Sequence, residues 1–200
     1  MAAMCMTLSQ WVCSSAAIED VRELCKADPS SSIAYFYFTD KSDLEDLIRS
    51  VLSQLSAKAT PATLAKLYDR YQQSRQHPPM KDLVASIPPI LEGFGHVYLI
   101  FDALDECPKR RELLCWLEGI ISAKLDGVHL LVTSRWEGEI IDSLEPLIPD
   151  VIDVGSQVHH DITIYIHEAL RNDRRFTRHN WPEVVQEKIQ MTLEGRAEGM

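Results

Sequence analysis

Glycine is scarce in this chain and never precedes lysine. The eight glycines are Gly93, Gly95, Gly119, Gly127, Gly138, Gly155, Gly195 and Gly199. A cradle of the form GxxxxGK[ST], whose backbone amides and lysine hold a triphosphate, is therefore absent. Cysteine is sparse too: Cys5, Cys13, Cys25, Cys107 and Cys115 are odd in number and form no CxxC pair. That pattern argues against a disulfide framework and reads as reduced thiols in an intracellular protein. No apolar run approaches the roughly 20 residues that span a bilayer. The N-terminus lacks a basic stretch, and Thr7, Ser9 and Gln10 interrupt its apolar residues, so neither a signal peptide nor a membrane partner is expected. Positive charge is in deficit, with 20 Lys and Arg against 30 Asp and Glu, a formal net charge of -10. Such a surface repels phosphate backbones, and nucleic acid is not an expected partner. One local exception, Arg171, Arg174, Arg175 and Arg178, reads as a solvated helix face or as a docking patch for an acidic partner.

What is present is an ordinary globular balance, 46% hydrophobic and 25% charged over 200 residues. This suits one domain, or one domain and part of another. Helical and strand-like segments alternate, which predicts an α/β fold with a mostly parallel sheet of about four strands. Cys13, Ala17, Val21 and Leu24 recur at helical spacing within 11–27. Ile33 to Phe38 reads as a buried strand. Ser42 and Glu45 form a capping box for a helix with Leu44, Leu47, Ile48, Val51, Leu52 and Leu55 on one face. A further helix is expected from Thr60-Pro61, and another helical stretch is expected to be interrupted at Pro88-Pro89. Val97 to Phe101 and Val128 to Thr133 are strong strands. Between them runs a helix with Leu113, Leu114, Leu117, Ile120 and Ile121. A short helix with Ile140, Ile141 and Leu144 follows, then a short strand at Val151 to Val154, and helix from about Asp161.

The chemistry is concentrated where Val97 to Phe101 ends in Asp102, Asp105 and Glu106. Acids just past an apolar strand lie at the carboxyl edge of a parallel sheet, where ligands bind in open α/β folds. Asp102, the first acid off the strand, is the natural group for Mg²⁺, a hard cation that takes oxygen ligands. Asp105 and Glu106, one turn on, are placed to polarise a water for attack on a γ-phosphate. The competing reading is that such acids only cap the next helix; three acids in five residues favour the site.

The run Asp102-Ala103-Leu104-Asp105-Glu106 after five apolar residues resembles the Walker B motif of NACHT domains, members of the STAND class of signalling P-loop NTPases. His129 to Arg135 resembles their sensor-1 strand. This implies that Arg135 reads the γ-phosphate through charge-assisted hydrogen bonds. Ile33 to Phe38 with the Leu-rich helix after it resembles the strand–helix unit of the large fungal NACHT families, which include nephrocystin-type N-terminal domains. The resemblance covers about 11–200. It implies a three-layer P-loop NTPase core, Mg²⁺ with ATP or GTP as cofactor, and protein partners or other NLR-like subunits in the cytoplasm.

The resemblance also marks what departs from the pattern. The family places its phosphate loop just before the helix matching 11–27, where this chain has Thr7-Leu8-Ser9-Gln10. No apolar strand precedes that position, so the first core strand is expected to be missing along with the loop; then the remaining strands close up, or 1–10 patches the gap with Met4, Met6 and Leu8 despite poor strand character, or the chain needs a partner. Residues 1–10 are then an atypical N-terminal segment, 11–157 the core, and 158–200 the start of a helical region cut short at both ends of the family pattern. His159, His160, His167 and His179 match no sensor motif and read as surface or boundary residues. Three functions follow. The first is a NACHT/STAND module defective in hydrolysis that acts through protein contacts. The second is an active NTPase whose phosphate loop lies upstream. The third is an interaction scaffold that shares only the α/β layout.

Overall fold

The computed structural model describes residues 2–6, 10–56, 78–153, 155–172 and 181–197, together with the single positions 65, 69, 71 and 178. It divides into two compact units, 1–152 and 153–200. The helix expected from Thr60-Pro61 falls almost wholly outside the described residues.

In chain order the first unit holds β1 (Ala2–Met6), α1 (Gln10–Ala27), β2 (Ser31–Tyr37), α2 (Leu44–Ser56), α3 (Met80–Leu91), β3 (His96–Asp102), α4 (Arg110–Ser122), β4 (Val128–Ser134), α5 (Gly138–Leu144) and β5 (Asp150–Asp153). The strands form one sheet in the order β2-β3-β4-β1-β5. The β2–β3, β3–β4 and β4–β1 pairs are all parallel. The fold is the expected α/β with a parallel sheet.

The first strand corrects the sequence reading. Ala2–Met6 is a strand and occupies a slot inside the sheet, paired from Ala2↔Leu130 to Met6↔Ser134. Its sequence AAMCM has no β-branched residue and weak intrinsic strand preference. The slot supplies what the sequence does not: an unfilled gap beside β4 would leave a row of backbone donors and acceptors without partners.

Side chains alternate across the sheet. Val97, Leu99 and Phe101 of β3 join Leu130 and Val132 of β4 in the main core, with Leu47, Ile48, Val51 and Leu55 of α2 and Leu113 and Leu117 of α4. α1 packs on β2, β3 and β4, with Ile18 and Cys25 buried outside that cluster. The layers are therefore helix, sheet, helix. The open edge of β2 is closed by Gln54 of α2. Its amide donates to the Tyr35 carbonyl at 2.7 Å and accepts from the Tyr35 N–H at 3.1 Å.

Two local expectations shift. The cap of α2 is Asp43, one residue later than Ser42: its Oδ1 accepts from the Glu45 N–H at 2.9 Å, and Asp46 Oδ2 accepts from the Asp43 N–H at 3.0 Å. Ser42 instead accepts from the Thr39 N–H at 2.7 Å, closing the preceding turn. α3 runs through Pro88 and Pro89 without interruption. The carbonyls that lose donors are those of Val84 and Ala85, on the half-buried and exposed side of the helix, where water can serve them.

The second unit is a helix pair, α6 (Gly155–Asn172) and α7 (Glu183–Ala197), in mutual contact, with Ile166 and Leu170 buried. Among the described residues no helix is long and apolar enough to cross a membrane.

Candidate functional site at the carboxyl edge of the sheet

β3 ends on Asp102, and the chain turns sharply at once. Ala103 sits in the left-handed region, φ 58°, ψ 53°, and a 3-10 turn, Leu104–Glu106, follows. A residue with a Cβ pays about 1 kcal/mol to sit there. Two contacts hold it: Leu104 is fully buried, and the Ala103 N–H donates to Thr133 Oγ1 at 3.0 Å. The same Thr133 hydroxyl donates to Asp102 Oδ1 at 2.5 Å. Thr133 thus ties the end of β4 to the acid at the end of β3. Asp102 is 1% exposed, and its second oxygen, Oδ2, is buried with no hydrogen-bond partner among the described residues.

The three acids have different surroundings. Asp105 accepts from the Arg135 N–H at 3.0 Å and lies 3.4 Å from Arg135 Nε, its side chain nearly enclosed. Arg110 donates to the Asp105 carbonyl at 2.5 Å. Asp105 therefore anchors the segment after β4. Glu106 is half-buried, and no partner for its carboxylate exists among the described residues. Arg135 stays 63% exposed at its side chain, so most of its guanidinium stands free at the rim. The structure thus brings Asp102, Asp105 and Arg135 to one edge, with Glu106 completing the turn. Thr133 and Ser134 were missed by the sequence reading; hydroxyls closing an apolar strand were the available signal.

Beside this edge Lys109 Nζ donates to Asp43 Oδ2 at 2.8 Å, linking the start of α2 to the loop before α4. That bond holds the Asp43 carboxyl below its ordinary range and lifts the Lys109 ammonium above its own. Burial raises the Cys107 thiol, which keeps it protonated and unreactive.

The edge can be tested against a magnesium–triphosphate complex. The acid half fits: a buried carboxylate oxygen without a partner among the described residues is what a hard cation, or water bound to one, would satisfy. The phosphate half does not. Met6 stands in register with Ser134, so the β1–α1 link starts at this same edge. That link has only three residues, Thr7, Leu8 and Ser9, which themselves lie outside the described set. It contains no glycine and no lysine, and the first basic residue of the chain is Arg22. Nor does any group of three or more His, Cys, Asp and Glu suited to a metal occur among the described residues. Taken whole, the residues present do not fit a bound magnesium–triphosphate.

Among curated proteins nothing matches the chain. A chain in the solved "Structure of Drosophila ORC bound to AT-rich DNA and Cdc6" is similar at a TM-score of 0.37 and 11% identity, covering 98% of this chain and 75% of that one. The family model described as Nephrocystin 3, N-terminal matches residues 9–135, from just before α1 to the arginine after β4, and so takes in Asp102, Asp105, Glu106 and Arg135. With well over half of its length matched, this chain belongs to the nephrocystin-3 N-terminal family.

Proposed function

We propose that this chain is a NACHT-type STAND signalling module that has lost nucleotide hydrolysis and works through protein contacts, with NLR-like subunits in the cytoplasm as its expected partners. The observation that carries this reading is the contrast at one sheet edge. Acids and a rim arginine stand at the ends of β3 and β4, while the link after β1 holds Thr7-Leu8-Ser9 and no Gly or Lys. Backbone amides freed by glycine and a lysine charge supply most of the hold on a triphosphate. Without them, carboxylates alone repel the phosphates. Asp105 is already committed to Arg135, which leaves Glu106 as the acid best placed to act on a water. Calorimetric titration of the full chain with ATP and with GTP, with and without Mg²⁺, tests the proposal. No binding tighter than millimolar is expected. Micromolar, Mg²⁺-dependent binding, or turnover of either nucleotide, would overturn it.

One observation favours a second reading, an NTPase completed by a phosphate loop supplied from upstream sequence: Asp102 Oδ2, without a partner among the described residues, is an acceptor of the kind a Mg²⁺-bound water fills. In that form the upstream strand would take the slot that β1 holds. A chain extended by a natural GxxxxGK[ST] segment would then bind ATP or GTP with Mg²⁺, and Asp102→Ala would abolish the Mg²⁺ dependence.

A further inference from the structure

The sheet has a second polar end, six residues back along β3 from Asp102, a distance of about 20 Å. There His96 opens β3 and His129 is the second residue of β4. His96 lies on the same face of β3 as Tyr98, and Tyr98 is in register with His129. The two imidazoles meet across the strands, with His96 Nδ1 and His129 Nε2 3.2 Å apart.

We propose that His96 and His129 form a two-histidine chelate for a borderline divalent cation of the zinc, copper or nickel kind. Ligands at 2.0–2.1 Å in a tetrahedron are about 3.3 Å apart, so the nitrogens already stand at chelating separation. Imidazole is the side chain that suits these cations. The backbones beneath are fixed by the parallel ladder through Val97↔Val128 and Tyr98↔His129. The Tyr98 ring stacks on His129 with centroids 4.7 Å apart and planes 15° apart, which restrains its rotation. His96 is exposed, so a cation reaches the pair from solvent. A cation sits at the apex over the two nitrogens, off the line that joins them, and whichever of the two carries a proton gives it up through solvent to the far nitrogen of its own ring. No third His, Cys, Asp or Glu joins the pair in a metal-binding group among the described residues, so water fills the remaining positions.

The test is calorimetric titration of the untagged full chain with zinc chloride at pH 7.5. The variants are His96→Ala and His129→Ala, with a His159→Ala/His160→Ala double variant as control. The wild type should take up one zinc ion, each single variant should weaken binding about tenfold or more, and the control should leave it unchanged. Equal binding by the wild type and both single variants would overturn the proposal, as would no uptake by the wild type or loss only in the control. Should His129→Ala unfold, the ring resonances of His96 and His129 in the wild type decide between the outcomes: they must move on adding zinc, and unmoved signals refute the chelate.

Discussion

Asp102→Asn should make this chain more stable. Asp102 is 1% exposed, with Oδ1 served by Thr133 and Oδ2 served by no described group. A buried charged oxygen without a partner costs more than a neutral one in the same place, by an amount on the order of 1–2 kcal/mol. Asparagine keeps the Thr133 hydrogen bond at its carbonyl oxygen and replaces the charged orphan oxygen by a neutral NH₂, whose own unpaired N–H donors cost less than the buried charge they replace. The expected gain is about 1–2 kcal/mol, or roughly 3–6 °C in melting midpoint for a chain of this length. Thermal and urea melts followed by circular dichroism read it directly. A destabilisation of more than about 1 kcal/mol would refute the reasoning. It would mean that the carboxylate supports the fold, and that Asp102 is a structural acid without a stored demand for a cation.

Thr133→Val removes the donor to Asp102 and the acceptor of the Ala103 N–H at once, and should cost about 2–4 kcal/mol in the same melts. Combined with Asp102→Asn the cost should shrink, because the two side chains are coupled. Gly127→Ala should cost about 2–4 kcal/mol: Gly127 has φ +74°, and an added Cβ would meet the Gly95 carbonyl oxygen at 2.2 Å. His129 carries a pH dependence. Burial lowers its pKa below the ordinary 6.5, so below that pH the unfolded chain binds a proton that the folded chain refuses. Stability should therefore fall as pH drops from 6.5, and His129→Gln should flatten the change in urea midpoint between pH 7.5 and about 5. That window lies above the range of Asp28, whose depressed carboxyl adds its own loss only as pH falls below 3.8.

Much of the architecture was legible because its signals are local. β3 and β4 announce themselves as apolar runs bounded by turn residues, and α2 and α4 by apolar residues at helical spacing, whatever surrounds them. The site was legible in part. The acids after β3 and the arginine after β4 stand out by type and position. What each one does was not legible, because it depends on the neighbouring strand. Asp105 binds the Arg135 backbone, and Asp102 has one oxygen bonded by Thr133 and the other without a partner among the described residues, because β4 lies alongside β3 and brings Thr133 and Arg135 to the same height.

The sequence by itself determined the alternation of helix and strand, the acid-rich end of β3, and the lack of glycine and lysine ahead of α1, since each is a matter of residue type and spacing. Tertiary structure decided the rest. It made a strand of Ala2–Met6, where propensity argued against one, because a gap beside β4 would strand backbone hydrogen-bonding groups. It carried α3 through two prolines by turning the affected carbonyls outward. It set His96 against His129 from positions 33 residues apart, a meeting that only strand register could arrange.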